Sequence, residues 1–265
     1  MVAFLAGERA LVTSSKSGEI RRWDRATGAS SVIGRAPQPF LRQTGLLPFF
    51  ESQRVAGCSE DGHLRVWDAD AGRLLTDVAG CHESFDVARD GSAIVMARSG
   101  SGGQPGTALL IDATGGNPRP LPALRESIFE VEFAAASDRV VVATDRSAII
   151  YRVADGARLK QFDYATYSTL ARFTNQDRQL VTGHTDGSTT IEDIMSGERR
   201  TIRHRDWSID VAISPNGQLL AIPTRTGELH VVRSTVPGDP AALPAWLAAA
   251  TDATIDPALA GLTAP

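Results

Sequence analysis

The stretch from Arg54 to Gly72 reads RVAGCSEDGHLRVWDADAG. Small and β-branched residues (Val55, Ala56, Cys58) run into the turn Glu60-Asp61-Gly62. A second run, His63 to Trp67, alternates in character before closing on Trp67-Asp68 and a further turn at Asp70 to Gly72. This pattern predicts two strands around a tight turn. A lone hairpin has one side on which to bury Trp67 and is marginal in water. Copies of the hairpin stacked on one another would explain the tryptophan.

Working outward, the turn glycines Gly28, Gly72, Gly116, Gly156 and Gly197 are each preceded, five residues earlier, by Trp23, Trp67, Ile111, Tyr151 and Glu192. A sixth copy aligns through Gly227 and places Val232 in the same column. The successive spacings are 44, 44, 40, 41 and 40 residues, within the roughly 40–45 of one four-stranded propeller blade. Each copy repeats one grammar: apolar strand, turn, second strand, tight turn, third strand ending on the column residue, turn, variable fourth strand. Phe4, Val87, Phe133, Phe173 and Ile213 form another column, just before the first turn, expected to face inward on the strand next to the axis.

The pairs Trp23-Asp24 and Trp67-Asp68, the segment SEDGHLRVWD and the turn AISPNG resemble WD-repeat β-propellers of a divergent, bacterial type, over about residues 2 to 238. The resemblance implies an all-β propeller of four-stranded antiparallel blades, spanning about 1–34, 35–79, 80–122, 123–163, 164–202 and 203–238. It leaves open a six-bladed ring with irregular closure or part of a seven-bladed one. In that family a turn Asp, a Ser or Thr, the column Trp and a His form a hydrogen-bonded tetrad in each blade. Carried over by position, the tetrad-like residues are Ser15, Trp23, Ser59, Asp61, Trp67, Asp145, Asp186, His204 and Thr224. No blade holds all four.

Composition narrows the function. A net charge of −4 and a pI near 5.8 give no general attraction to nucleic acid or anionic membranes, so neither is an expected partner. Two cysteines, Cys58 and Cys81, are too few for a disulfide framework, and a buried free thiol at Cys58 points to a reducing cytoplasm. Glu8 and Arg9 interrupt any secretory leader, and no apolar run reaches the ~18 residues of a membrane span. Lys16 and Lys160 are the sole lysines, a bias that suggests a GC-rich bacterial genome.

Chemistry finds no motif. Ser99 to Gly106, SGSGGQPG, lacks the Lys-Ser/Thr and following helix of a phosphate loop and reads as a hairpin tip. The five histidines never fall at zinc-binding spacing. No catalytic residue, metal or cofactor is therefore expected. What remains is a rim, with candidate partner-binding residues Lys16, Glu60 and Arg225 beside turns and Phe129, Tyr167 and Trp207 at strand starts. These aromatics are read either as anchors for a protein or peptide or as packing between blades.

The expected function is a non-enzymatic protein-interaction scaffold. Two alternatives stand beside it: a regulatory or sensory domain of a larger bacterial signalling protein with a kinase or NTPase upstream, which an abrupt first blade would fit, and a propeller hydrolase. Residues 239–265 are expected to form a short helical tail with Trp246, Leu247 and Ile255 on its apolar side.

Overall fold

The computed structural model describes residues 1–234 apart from 42–44, 51, 83, 99, 101–104, 123, 125 and 215–216. The expected helical tail lies outside the described residues, as does most of the Ser99 to Gly106 stretch. The described chain contains no helix; it is built of strands alone.

Blade one holds β1 (Val2–Phe4), β2 (Ala10–Ser14), β3 (Glu19–Asp24) and β4 (Ser30–Arg35). Blade two holds β5 (Leu46–Pro48), β6 (Arg54–Cys58), β7 (His63–Asp68) and β8 (Arg73–Ala79). Blade three is β9 (Ser84–Val87), β10 (Ala93–Arg98), β11 (Thr107–Asp112) and β12 (Arg119–Pro120), and blade four is β13 (Ile128–Phe133), β14 (Arg139–Thr144), β15 (Ser147–Arg152) and β16 (Arg158–Asp163). Blade five is β17 (Ser168–Thr174), β18 (Gln179–His184), β19 (Ser188–Asp193) and β20 (Arg199–Arg203). Blade six is β21 (Ala212–Ile213), β22 (Leu219–Pro223) and β23 (Leu229–Arg233). Five sheets have four antiparallel strands and the sixth has three among the described residues, every strand pairing with its sequence neighbour.

The strands form where the sequence alternates, and several of them stop where glycine supplies a left-handed turn. Gly62, at φ 81°, turns β6 into β7, a conformation that costs a side-chain-bearing residue about 1 kcal/mol or more. Strand register then lines up the columns. Phe4 pairs with Leu11 and Leu11 with Trp23 in blade one. Val87, Ile94 and Ile111 do the same in blade three, Phe133, Val140 and Tyr151 in blade four, Phe173, Leu180 and Glu192 in blade five. In blade two Pro48 takes the first place, beside Val55 and Trp67.

The core lies between blades. Five apolar clusters fill the five junctions from blade one on blade two to blade five on blade six. Each blade turns its column residues toward the blade before it, its leading face, and its alternate residues toward the blade after it, its trailing face. The strand-next-to-axis column therefore faces the preceding blade, correcting the expectation that it points to the axis: side chains alternate across the sheet, and the sheets stack around the axis.

A second correction concerns the cysteines. Cys58 and Cys81 form a disulfide, with Cα atoms 6.0 Å apart and a sequence separation of 23. Cys58 ends β6 and Cys81 opens the crossing into blade three, and both side chains are buried in the junction between these blades. Cysteine count alone could not reveal this, because pairing depends on Cα proximity that stacking creates.

Candidate partner-binding rim

One backbone hydrogen bond recurs at one end of the blades. The amide of a residue in the tight turn donates to the carbonyl of the residue that leads into the innermost strand. Glu60 bonds Pro39 at 2.8 Å, Asp145 bonds Ser127 at 3.1 Å, Thr185 bonds Tyr167 at 2.9 Å and Arg225 bonds Trp207 at 3.0 Å. This tie holds turns and strand starts together at one end of the blades and sets Arg225 beside Trp207; Phe129 lies two residues beyond the tied Ser127.

Phe129, Tyr167 and Trp207 are 44%, 50% and 45% exposed, too open for blade-junction packing. Phe129 sits at a β-bulge, where the pairing of β13 with β14 shifts between Ile128 and Glu130. Such a bulge re-aims a side chain away from the ladder. The Arg146 guanidinium lies 4.7 Å from the Tyr167 ring centre and that of Arg225 5.4 Å from the Trp207 ring. Arg225 also pairs with Asp206 at 3.2 Å. Arginine over an aromatic face contributes roughly 0.5–1 kcal/mol when exposed, which orders both side chains. Across the rim, Lys16 and Glu60 line a cleft of about 620 Å3 between blades one and two, together with Met1 and Phe40.

The tetrad positions lie just below this rim. In blade two Ser59 donates to Asp61 at 2.6 Å. Arg65, from the adjoining strand, supplies the cation: its guanidinium reaches Asp61 at 2.7 Å, Ser59 at 2.7 Å and Asp77 at 2.9 Å. Burial works against the Asp61 charge, but the Arg65 and Ser59 bonds outweigh it and hold the pKa down to about 2. In blade one Thr13, not Ser15, accepts from the Trp23 indole at 2.9 Å. Ser15 bonds Ser17 instead, because two residues along the strand the backbone has entered the turn.

Blade four has Asp145 with one buried oxygen lacking a partner, while Glu126 accepts from the hydroxyls of Thr144 and Ser147. Asp186 in blade five accepts from Ser188 at 2.5 Å. His204 meets Thr189 of blade five at 2.9 Å, and Thr224 meets Thr226 at 3.2 Å. Burial, followed by the neighbouring His230, pushes the His204 pKa down.

Two polar groups were not foreseen from sequence. Glu192, in the tryptophan column of blade five, is fully buried; the Tyr164 hydroxyl donates to it at 2.5 Å and the Arg199 guanidinium at 2.6 Å. Nearer the axis, side chains of one blade satisfy the free edge of the next. Asp86 accepts from the Phe133 amide at 2.7 Å, Glu130 from Ala171 at 3.2 Å, and Arg172 donates to the Val211 carbonyl at 2.7 Å. An innermost strand has an unpaired edge, and these groups occupy it. The signal was the acidic alternation Glu130, Glu132 beside Val131 and Phe133. Arg172 also pairs with Glu130, Glu132 and Asp210 at 2.9, 3.4 and 2.8 Å. Burial, then the nearby Glu130 charge, raises Asp86 to about 7 despite its bonds from Phe133 and Val87.

Among the described residues, no group of three or more His, Cys, Asp or Glu side chains is arranged to hold a metal ion. The described residues hold no helix long and apolar enough to cross a membrane.

No protein-family model matches the chain. An 85-residue stretch, 31% of the chain, is 38% identical to apoptotic protease-activating factor 1 of Danio rerio and spans 7% of that protein. Among solved structures, the C-terminal WD40 domain of Sif2 superimposes with a TM-score of 0.74 at 16% identity, covering 88% of this chain and 66% of that one. With the 40- to 44-residue repeat and antiparallel blades already described, the fold is that of a WD-repeat β-propeller.

Proposed function

We propose that the protein is a non-enzymatic interaction module that receives a protein or peptide partner on the rim of blades four to six. The observation that carries this reading is the exposure of Tyr167 and Trp207 at equivalent places in blades five and six, and of Phe129 in blade four, each about half exposed, with the Arg146 and Arg225 guanidinium groups over the Tyr167 and Trp207 rings. Aromatic and arginine side chains dominate the energetics of protein interfaces. Here they are displayed on a rigid scaffold, so little ordering entropy opposes binding.

A double substitution, Trp207→Ala with Arg225→Ala, tests it. Partner co-purification should be lost while the melting temperature stays within about 2 °C of the parent, the small shift expected of a surface change. Retained co-purification, or a collapse in stability, would overturn the reading.

A second reading draws on the relative. Because the matched stretch spans 7% of a much longer protein, the rim also suits a regulatory domain that senses a partner on behalf of a larger chain.

A further inference from the structure

The rim of blades five and six carries its charges in two layers. Arg203, Arg205 and Arg225 stand outermost, their side chains 76%, 73% and 65% exposed, while the carboxylates nearest to them, Asp186, Glu228 and Asp206, are recessed at 32%, 31% and 12%. Only Arg225 is closely paired, with Asp206 at 3.2 Å. Arg203 and Arg205 lie 3.8 and 4.0 Å from Asp186 and Glu228, beyond hydrogen-bond length. Arg146, in the tight turn of blade four, donates one N–H to the Ala165 carbonyl at 2.8 Å and has no ion pair among the described residues.

A chain of contacts joins the four arginines. Arg146 covers Tyr167, whose carbonyl accepts from the Thr185 amide. Asp186 comes next and faces Arg203, and the Gly187 carbonyl accepts from the amide of His204. Trp207, three residues on, is tied to Arg225. Tyr167, Trp207 and Ile209 are all exposed along this path.

Given that the rim is an interaction surface, we propose that this stretch receives an acidic peptide segment, in which Asp or Glu side chains adjoin apolar ones. A guanidinium presents five N–H donors in a fork that matches a carboxylate, and most of those on Arg146, Arg203 and Arg205 are unused. The rings and Ile209 take the apolar side chains. A chain of net charge −4 disfavours acidic partners in general, and this local reversal of sign gives them one place to land. Nucleic acid fits less well. The recessed carboxylates repel a continuous row of phosphates, whereas separate carboxylates can each meet one arginine.

Random peptides displayed on phage and selected on the 265-residue chain provide the test. Those that fail to bind Trp207→Ala with Arg225→Ala are held at the rim, and they should be enriched in Asp and Glu over the starting library. Synthetic copies carrying Asn and Gln in place of Asp and Glu should bind about tenfold more weakly. Arg146→Gln and Arg203→Gln should each weaken the acidic form several-fold, with Arg73→Gln, on the outer strand of blade two, as the unaffected reference. Arg203 stands mostly in water, so its variant should melt with the parent and separates lost binding from lost folding. Rim-bound peptides without acidic enrichment, or neutral copies that bind equally well, overturn the acidic partner while the rim keeps its role as an interaction surface. Selected peptides indifferent to the rim substitutions, or no selected peptides, overturn both. Single-stranded DNA that displaces the peptides at lower concentration than their own synthetic copies overturns the acidic peptide in favour of nucleic acid.

Discussion

Trp23 and Trp67 hold the same register place in consecutive blades, 44 residues apart, paired with Leu11 and Val55 respectively, yet Trp67 is buried and Trp23 is not. The difference is what lies in front of each. Trp67 packs edge-on to Phe40, ring centres 5.8 Å apart, and its indole rests on Gly34, where an added Cβ would fall 2.3 Å from Nε1. Trp67→Ala should therefore cost about 3–5 kcal/mol, and Trp23→Ala about 1 kcal/mol. Gly34→Ala should cost about 1–3 kcal/mol by overpacking against the indole. Urea unfolding of the three variants checks the order.

Acid stability should follow Asp61. Its folded pKa, about 2, lies below its ordinary value of 3.8, so its contribution is present above about pH 4 and is lost as pH falls through 2. Asp61→Asn should lose roughly 2 kcal/mol at pH 7 and show a flatter acid limb. His184 acts in an adjoining window. Burial lowers its pKa from 6.5 to about 4, so it contributes stability above pH 6.5 that is lost as pH falls to 4. Melting temperatures from pH 8 to pH 2 would show the two phases; an Asp61→Asn curve parallel to the parent contradicts the assignment.

Glu192 is the tryptophan column's exception. Burial raises its pKa, opposed by Tyr164 and Arg199. Glu192→Ala removes the buried acceptor of the Tyr164 hydroxyl, which keeps its bond to Thr182, and one partner of the partly exposed Arg199, and should cost about 1–3 kcal/mol. Tyr164→Phe removes the bonds to Glu192 and Thr182 and should cost about 1–3 kcal/mol. In a double-mutant cycle the two should couple by about 1 kcal/mol or more; additive effects would mean that the contact is idle.

The disulfide between Cys58 and Cys81 closes a loop over a sequence separation of 23. Loop-closure entropy at that length predicts about 3 kcal/mol of stabilisation. Denatured, unreduced protein should show no free thiol to Ellman's reagent, and Cys81→Ser should lower the melting temperature; two titratable thiols would refute the bond.

The sequence by itself determined the repeat. The spacing of Trp23, Trp67, Ile111, Tyr151, Glu192 and Val232 marked six blades and the strand order within each, because each hairpin is encoded locally by alternation and turn residues. It also named Phe129, Tyr167 and Trp207 while leaving their packing open. Tertiary structure alone decided what each position touches. Thr13 displaces Ser15 as the Trp23 partner, Arg65 takes the role sought in a histidine, and Cys58 finds Cys81. Each depends on side-chain direction and on distances between strands and blades, which no local pattern specifies. The same holds for Trp23 and Trp67: they read alike in sequence, and only the stacking of sheets makes Trp67 a core residue and leaves Trp23 half-buried.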